Sequence, residues 1–210
     1  MKYKVMIVED QTMPRELFEL RVQSSEHFEV ALSIDNAALA DVYCLRFPVD
    51  IILMDVVTRN GESGLDTAER IKCTFPQIKI IIVTSMPECS YLRRAREIGV
   101  ESFWYKEEQR ESLLDVMERT MAGESVYPDA TPELQLGLAS SYKFTDRELE
   151  VLREMTGGDT NQEIAERLHM SVATVKTHIL NMLEKTGFRN RTELAVRARE
   201  SGLVILNRKN

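Results

Sequence analysis

The chain has 210 residues, room for one large domain or two modest ones, and its 43% hydrophobic and 29% charged content is that of an ordinary globular protein. No apolar run approaches the ~20 residues of a membrane helix, and MKYKVMIVED lacks the charged, apolar and cleavage regions of a secretory signal. Membrane insertion and export are therefore not expected, and a cytoplasmic location is. The net charge of -7 is uneven: residues 1–122 carry 15 Lys and Arg against 21 Asp and Glu, whereas residues 143–210 carry 12 against 10. Acidity in the first part argues against nucleic acid there, and the cluster Lys176, Lys185, Arg189 and Arg191 argues for it in the second.

In chain order, the first part alternates strand-like and helix-like patterns, the repeat that builds a parallel sheet. YKVMIVED (3–10) is a strand ending in Glu9 and Asp10; Thr12 is expected to cap a helix with Pro14 in its first turn, and Leu17, Leu20 and Phe18 to face the sheet. FEVALSI (28–34) is a second strand, followed by a helix over 35–47 that stops before Pro48. VDIILMD (49–55) is apolar without alternation, the mark of a strand covered on both faces, and ends in Asp55. A helix over 65–75, the strand KIIIVTS (79–85), a helix after Pro87, the strand VESFWYK (100–106) and a helix over 109–122 complete five βα units. They predict a doubly wound sheet of flavodoxin-like order. Cys44, Cys73 and Cys89 form no CxxC pair and read as reduced, mostly buried packing residues; His27, His169 and His178 have no zinc spacing.

Residues 123–142 are rich in Pro, Gly and small residues and read as a linker, with a short helix over 132–138. Residues 144–204 are helical throughout. Thr145 with Glu148, and Thr160 with Glu163, fit the capping box; Gly157 and Gly158, Gly187 and Gly202 close helices. Ser171 caps a third helix only two residues after the second ends near His169, the spacing of a helix-turn-helix. The expected fold is an α/β flavodoxin-like (βα)5 domain over 1–122, the linker, and an all-α four-helix helix-turn-helix domain over 143–210.

In open α/β sheets the reactive groups gather beyond the carboxyl ends of the strands. Glu9, Asp10, Asp55, Thr84, Ser85 and Lys106 all end strands there. A carboxylate can accept a phosphoryl group if a cation neutralises the charge between acid and donor. Glu9 and Asp10, with Asp55 and the Val57 carbonyl, supply oxygen ligands for a partly hydrated Mg²⁺. Lys106 is the fixed cation and Thr84 a hydroxyl donor for the phosphoryl oxygens. No GxGxxG or P-loop is present, so a nucleotide cofactor is not indicated.

These residues, over the whole length of the first part, resemble a response-regulator receiver. The resemblance implies transfer from a sensor histidine kinase to Asp55, after which Thr84 moves onto the phosphoryl group. Phe103, three residues before Lys106, then turns inward as the aromatic switch. Three departures stand out. The loop TRNGESG (58–64) lacks the usual proline and sets Gly64 one residue further from Asp55, so a bulged loop is expected. Glu107 follows Lys106 where many receivers have proline. Val57 and Met86, at the positions that influence a hydrolytic water, cannot orient one, which predicts a long-lived phosphoryl group. A dehalogenase-like phosphatase also uses an aspartyl phosphate but needs a second aspartate two residues on, and that residue is Val57. The chain reads as a phosphorylatable switch, not an enzyme.

In the third helix of the second part, Val172, Val175, Ile179 and Met182 share a core-facing stripe, beside a face of Lys176, Thr177, Leu180 and Asn181. FTDRELEVL, NQEIAERL, SVATVKTHILNMLEKTG and NRTELA resemble the LuxR-type domain of the NarL/FixJ regulators. The resemblance implies base-edge contacts from Lys176, Thr177, Leu180 and Asn181 and phosphate contacts from Ser171, Thr174, His178 and Lys185. Leu180 departs from the polar residue common at its position. The last helix is expected to expose some of Leu194, Val196, Ala198 and Val204, apolar surface that pairs two subunits on promoter DNA. The partners implied are a sensor histidine kinase, promoter DNA, a second copy of the chain and RNA polymerase. A competing reading makes the receiver a dimerisation module independent of phosphorylation.

Overall fold

The computed structural model describes residues 2–59, 62–85, 89–106, 111–129 and 131–204. Two compact units divide the chain, one built mainly from residues up to Ala130 and the other from Thr131 onward. Among the described residues no helix is long and apolar enough to cross a membrane.

The first unit is built on β1 (Tyr3–Val8), β2 (Phe28–Ile34), β3 (Ile51–Asp55), β6 (Lys79–Thr84) and β7 (Ser102–Tyr105), all parallel, in the order β2-β1-β3-β6-β7. The central strand β3 is buried at every residue. Consecutive apolar side chains on a strand alternate between its faces, so IILMD fills both sides at once. The helices α1 (Thr12–Gln23), α2 (Ala40–Arg46), α3 (Gly64–Thr74) and α4 (Cys89–Ile98) lie between successive strands of the sheet, and α5 (Leu113–Met121) follows β7. A small antiparallel hairpin of β4 (Val57–Thr58) and β5 (Glu62–Ser63) lies between β3 and α3.

Several details differ from the sequence reading. Phe18 and Val22, one turn apart, face the sheet, with Phe18 edge-on to Trp104 at 6.4 Å; Leu17 and Leu20 are 46% and 64% exposed. An apolar α1 stripe exists on both sides, and its larger ring wins the core. Thr12 is inside α1, not its cap: the N-cap is Gln11, whose N–H is taken by the Glu9 carboxylate at 3.1 Å. The helix expected over 35–47 begins as a 3-10 turn at Ala37–Leu39, where Asn36 caps Ala38 N–H, and is α-helical only from Ala40. The last helix of the first unit starts at Leu113, because Ser112 caps it. Cys44 is only partly buried and Cys73 is exposed, and both are free thiols on helix surfaces instead of core residues.

The stretch expected to be a linker is largely ordered against its neighbours. After α5, Val126 O accepts from Phe103 N–H at 2.9 Å and Val126 N–H donates to Ser102 Oγ at 3.1 Å, extending the edge of β7. The Tyr127 hydroxyl donates to Val100 O at 2.7 Å. In the second unit no helix forms over 132–138; β8 (Gln135–Leu136) and β9 (Ala139–Ser140) make a hairpin instead. Gly137 sits at its turn with φ of 61°, a conformation that favours glycine and ends helical propagation.

That unit packs α6 (Asp146–Thr156), α7 (Asn161–Arg167), α8 (Val172–Thr186) and α9 (Arg191–Glu200) around one core of Leu149, Leu152, Ile164, Val175, Met182 and Leu194, among others. Both capping boxes form, at Thr145 with Glu148 and at Thr160 with Glu163. Ser171 caps α8, and Gly187 closes it in the left-handed conformation at φ of 75°. The turn between α7 and α8 is made by His169, the one described non-glycine residue at positive φ, at 52°.

Candidate functional site

Four of the five strands of the parallel sheet, β2 excepted, lead candidate side chains to its carboxyl end. β1 runs out into Glu9 and Asp10, β3 ends in Asp55, β6 ends in Thr84, and β7 leads directly into Lys106. Pairing fixes their relative height: Asp55 lies beside Val83, Thr84 lies beside Tyr105, and Lys106 N–H donates to Thr84 O at 2.9 Å. Carboxylate oxygens of Glu9, Asp10 and Asp55 all lie within 4.8 Å of one another. Lys106 Nζ donates to Glu9 Oε2 at 2.5 Å and to Asp55 Oδ2 at 2.8 Å. Asp55 Oδ1 accepts from Val56 N–H at 2.7 Å.

Glu9 is fully buried and Asp55 is 6% exposed, so these charges face each other with little water between them. Burial, with Glu9 adding to it, pushes the Asp55 carboxyl up to about 7 against the pull of Lys106. The Lys106 ammonium is held above its ordinary range: its own burial lowers it, but Asp55 and Glu9 together outweigh that. Three acids share one fixed cation, and a site with that imbalance suits a divalent cation with oxygen ligands.

Two neighbours shape this hollow. Gly64, at the start of α3, donates its N–H to Val56 O at 2.8 Å, and a Cβ there would lie 1.8 Å from the Asp55 carbonyl oxygen. The residue that departs in spacing is thus needed for a close backbone approach. Val57 pairs with Ser63 and Thr58 with Glu62 in the β4–β5 hairpin; the bulge expected in this loop falls partly on Asn60 and Gly61, which lie outside the described residues. Met86 and Glu107 lie outside them too. Phe103 is 1% exposed, with ring centroids 5.0 Å from Tyr105 and 6.3 Å from Tyr127. Arg96 lies over the Tyr127 ring at 4.7 Å. Sequence reasoning missed Tyr127, which stands within the stretch read as a linker.

In the second unit, Val175, Ile179 and Met182 of α8 are buried, and Lys176, Thr177, Leu180 and Asn181 lie on its exposed side, Leu180 at 59%. Ser171 and Thr174 are exposed, with their hydroxyls 2.8 Å apart, and the Thr177 hydroxyl donates to Ala173 O at 3.0 Å. His178 is partly buried. Lys185 points elsewhere: its Nζ donates to both oxygens of Glu148, at 2.7 and 2.6 Å, and to Lys143 O at 2.9 Å. Burial would raise the Glu148 carboxyl, but Lys185 and the Thr145 N–H outweigh it and hold it below the ordinary range. Of the four apolar residues near α9, Leu194, Ala198 and Val204 are core and only Val196 is exposed, at 49%. Among the described residues, Val196 is the one of these four that the helix exposes.

A receiver-type acidic pocket on a five-stranded parallel sheet, joined to a four-helix helix-turn-helix unit, defines a two-component response regulator. Residues 5–118 match the family model described as response regulator receiver domain, and residues 142–198 match that of bacterial regulatory proteins, luxR family. The chain belongs to this family of DNA-binding regulators. Among its relatives is the response regulator protein VraR of Staphylococcus aureus (strain Mu3 / ATCC 700698), 30% identical over 212 residues that cover 97% of this chain and all of VraR. VraR of Staphylococcus epidermidis (strain ATCC 12228 / FDA PCI 1200) is 31% identical over the same coverage. The fold is also that of RcsB from Salmonella enterica serovar Typhimurium, solved bound to promoter rprA with the phosphomimetic BeF3-. That likeness has a TM-score of 0.61 at 19% identity and covers 93% of this chain and 98% of RcsB. The response regulator ChrA of a heme-sensing two-component system has a TM-score of 0.52 at 21% identity, covering 96% of this chain and 98% of ChrA.

Proposed function

We propose that a sensor histidine kinase phosphorylates Asp55 and that the phosphorylated chain binds promoter DNA as a dimer through α8, in the cytoplasm. The division of labour is a receiver over 1–122, a connecting stretch over 123–142 and a DNA-binding domain over 143–210. The observation that carries the first half is the bonding of Lys106 to both Glu9 and Asp55 within one acidic hollow.

Glu9, Asp10, Asp55 and the Val57 carbonyl would hold Mg²⁺, and the fit is supported by carboxylate oxygens that already converge around an excess of negative charge. When bound, the ion neutralises charge between the acid and an anionic phosphoryl donor. Asp55 Oδ forms the new P–O bond as the donor's bond to phosphorus breaks. Lys106 gives up part of its pairing with Asp55 to donate to a phosphoryl oxygen, and Thr84 supplies a hydroxyl donor from the neighbouring strand. Phe103 then turns toward the space Thr84 leaves, and its contacts with Tyr105 and Tyr127 change with it. Tyr127 belongs to the stretch that leads to the DNA-binding unit, so the switch has a covalent route out of the receiver.

On α8, Lys176, Thr177, Leu180 and Asn181 are proposed to meet base edges, and Ser171, Thr174 and His178 to meet phosphates. Exposure of the first four beside a buried stripe supports this. Leu180 suits a thymine methyl and Asn181 an adenine edge. Promoter footprints of the wild-type chain and Asp55→Asn, with and without acetyl phosphate, test the whole reading. A footprint that strengthens with the donor only in the wild type is expected. Equal footprints in all four conditions would favour a receiver that dimerises independently of phosphate.

A further inference from the structure

Within the basic cluster, Lys185 turns its charge inward, onto a buried carboxylate. An ammonium group has three N–H donors. Those of Lys185 face three acceptor oxygens: Glu148 Oε1 at 2.7 Å, Glu148 Oε2 at 2.6 Å and Lys143 O at 2.9 Å. The Glu148 side chain is only 3% exposed, and its oxygens also accept from Thr145 N–H at 2.8 Å and the Thr145 hydroxyl at 3.1 Å. Donating to a DNA phosphate would require Lys185 to leave a buried carboxylate without its cation, a change that costs more than an exposed phosphate contact returns.

The same end of α8 is held at a second point. Leu138 N–H, at the turn of the β8–β9 hairpin, donates to Thr186 O at 2.9 Å. The backbones approach so closely that a Cβ on Gly137 would lie 2.2 Å from Thr186 O, and the Leu138 side chain packs where a Cβ on Gly187 would lie 2.9 Å from its Cδ1. Residues 137–148 therefore grip the last turn of α8, on the same helix as Lys176.

We propose that Lys185 is a positioning residue: bonded to Glu148 and the Lys143 carbonyl, it fixes the angle at which α8 presents Lys176, Thr177, Leu180 and Asn181 to DNA, and it makes no phosphate contact. This rests on the reading of α8 as the helix that enters DNA, and it replaces the phosphate role that the family resemblance implies for Lys185.

The test uses the full-length chain, a duplex selected by the wild type from a random-sequence pool, and an unselected duplex, each titrated over a range of salt. If Lys185 touched a phosphate, Lys185→Gln would lower the salt slope by about one and weaken both duplexes alike. The positioning role instead leaves the slope unchanged and reduces the selected-to-unselected affinity ratio by about tenfold. Glu148→Gln separates the two most sharply. It removes a negative charge near DNA, so simple electrostatics predicts tighter binding, whereas the proposal predicts the same loss of ratio as Lys185→Gln. Lys185→Arg, which restores a paired contact to Glu148, should recover the ratio. A lowered slope in Lys185→Gln, or tighter binding with an intact ratio in Glu148→Gln, would overturn the proposal. Should either glutamine variant fail to fold, Lys185→Arg with its own slope and ratio, and Thr145→Ala, which removes the hydroxyl donor to Glu148, carry the comparison. Lys176→Ala is the control for the underlying reading: if it too leaves the ratio intact, α8 does not read DNA, whatever Lys185 does.

Discussion

Asp55 is buried, and the role proposed for it is that of a nucleophile; its ionisation records the conflict. In the folded, metal-free chain it holds its proton up to about 7, whereas an unfolded aspartate releases it near ~3.9. Between those values folding takes up a proton, so this residue's contribution is most favourable at the acid end and is lost as pH rises toward 7. Asp55→Asn, which cannot ionise, should therefore have a higher Tm than the wild type in magnesium-free buffer at about pH 8, with the gap closing toward about pH 5. Parallel Tm profiles for the two proteins would refute the assignment. Gly64→Ala meets the Asp55 carbonyl directly and should cost about 1–3 kcal/mol by denaturant unfolding while reducing acetyl-phosphate labelling. Val57, apolar and unable to orient water, implies a phosphoryl group that outlasts minutes in magnesium buffer; decay within seconds would contradict this. The four side chains that the fold brings together, Glu9, Asp10, Asp55 and Lys106, could be read from sequence because a carboxylate or amine at a strand end has a meaning independent of packing. The partners of Lys185 could not, since Glu148 already had a sufficient reading as a capping residue and its second role depends on where two helices cross.

At the level of elements, strands and caps were the most legible features. β3 needed only its unbroken apolar run, and both capping boxes were visible as Thr-x-x-Glu. Thr160→Ala, which removes the side chain that accepts Glu163 N–H, should lower stability by about 1 kcal/mol in thermal or denaturant unfolding. Helix phase was less legible. In α1 the sequence offers Leu17 and Leu20 as well as Phe18 and Val22, and the choice between them follows from the space beside Trp104, which no local pattern encodes. The hairpin over 135–140 was hidden for a related reason: short polar and small residues suit a turn or a helix, and the decision came from the Thr186 carbonyl at the end of α8. On α8, Lys176→Ala should cost roughly 1–3 kcal/mol on a selected DNA site and much less on random DNA. Equal losses on both would mean that Lys176 contacts phosphate, not bases.

For the whole molecule, the charge asymmetry between the two halves already separated an acidic part from one suited to DNA, and the two compact units follow that division. What composition could not reveal is that the connecting stretch is occupied at both ends. Val126 and Tyr127 extend the edge of β7 beside Phe103, while Leu138 caps the final turn of α8. A movement of Phe103 would reach this stretch at Tyr127. The central claim is that the hollow around Asp55 accepts a phosphoryl group. Intact-protein mass measurement after incubation with acetyl phosphate and Mg²⁺, followed by mapping of the modified residue, tests it most directly. One phosphoryl group on Asp55 is expected, absent in Asp55→Asn and not formed when Mg²⁺ is chelated before the donor is added; an unmodified wild-type chain, or a label that persists in Asp55→Asn, would refute a phosphoryl-accepting Asp55.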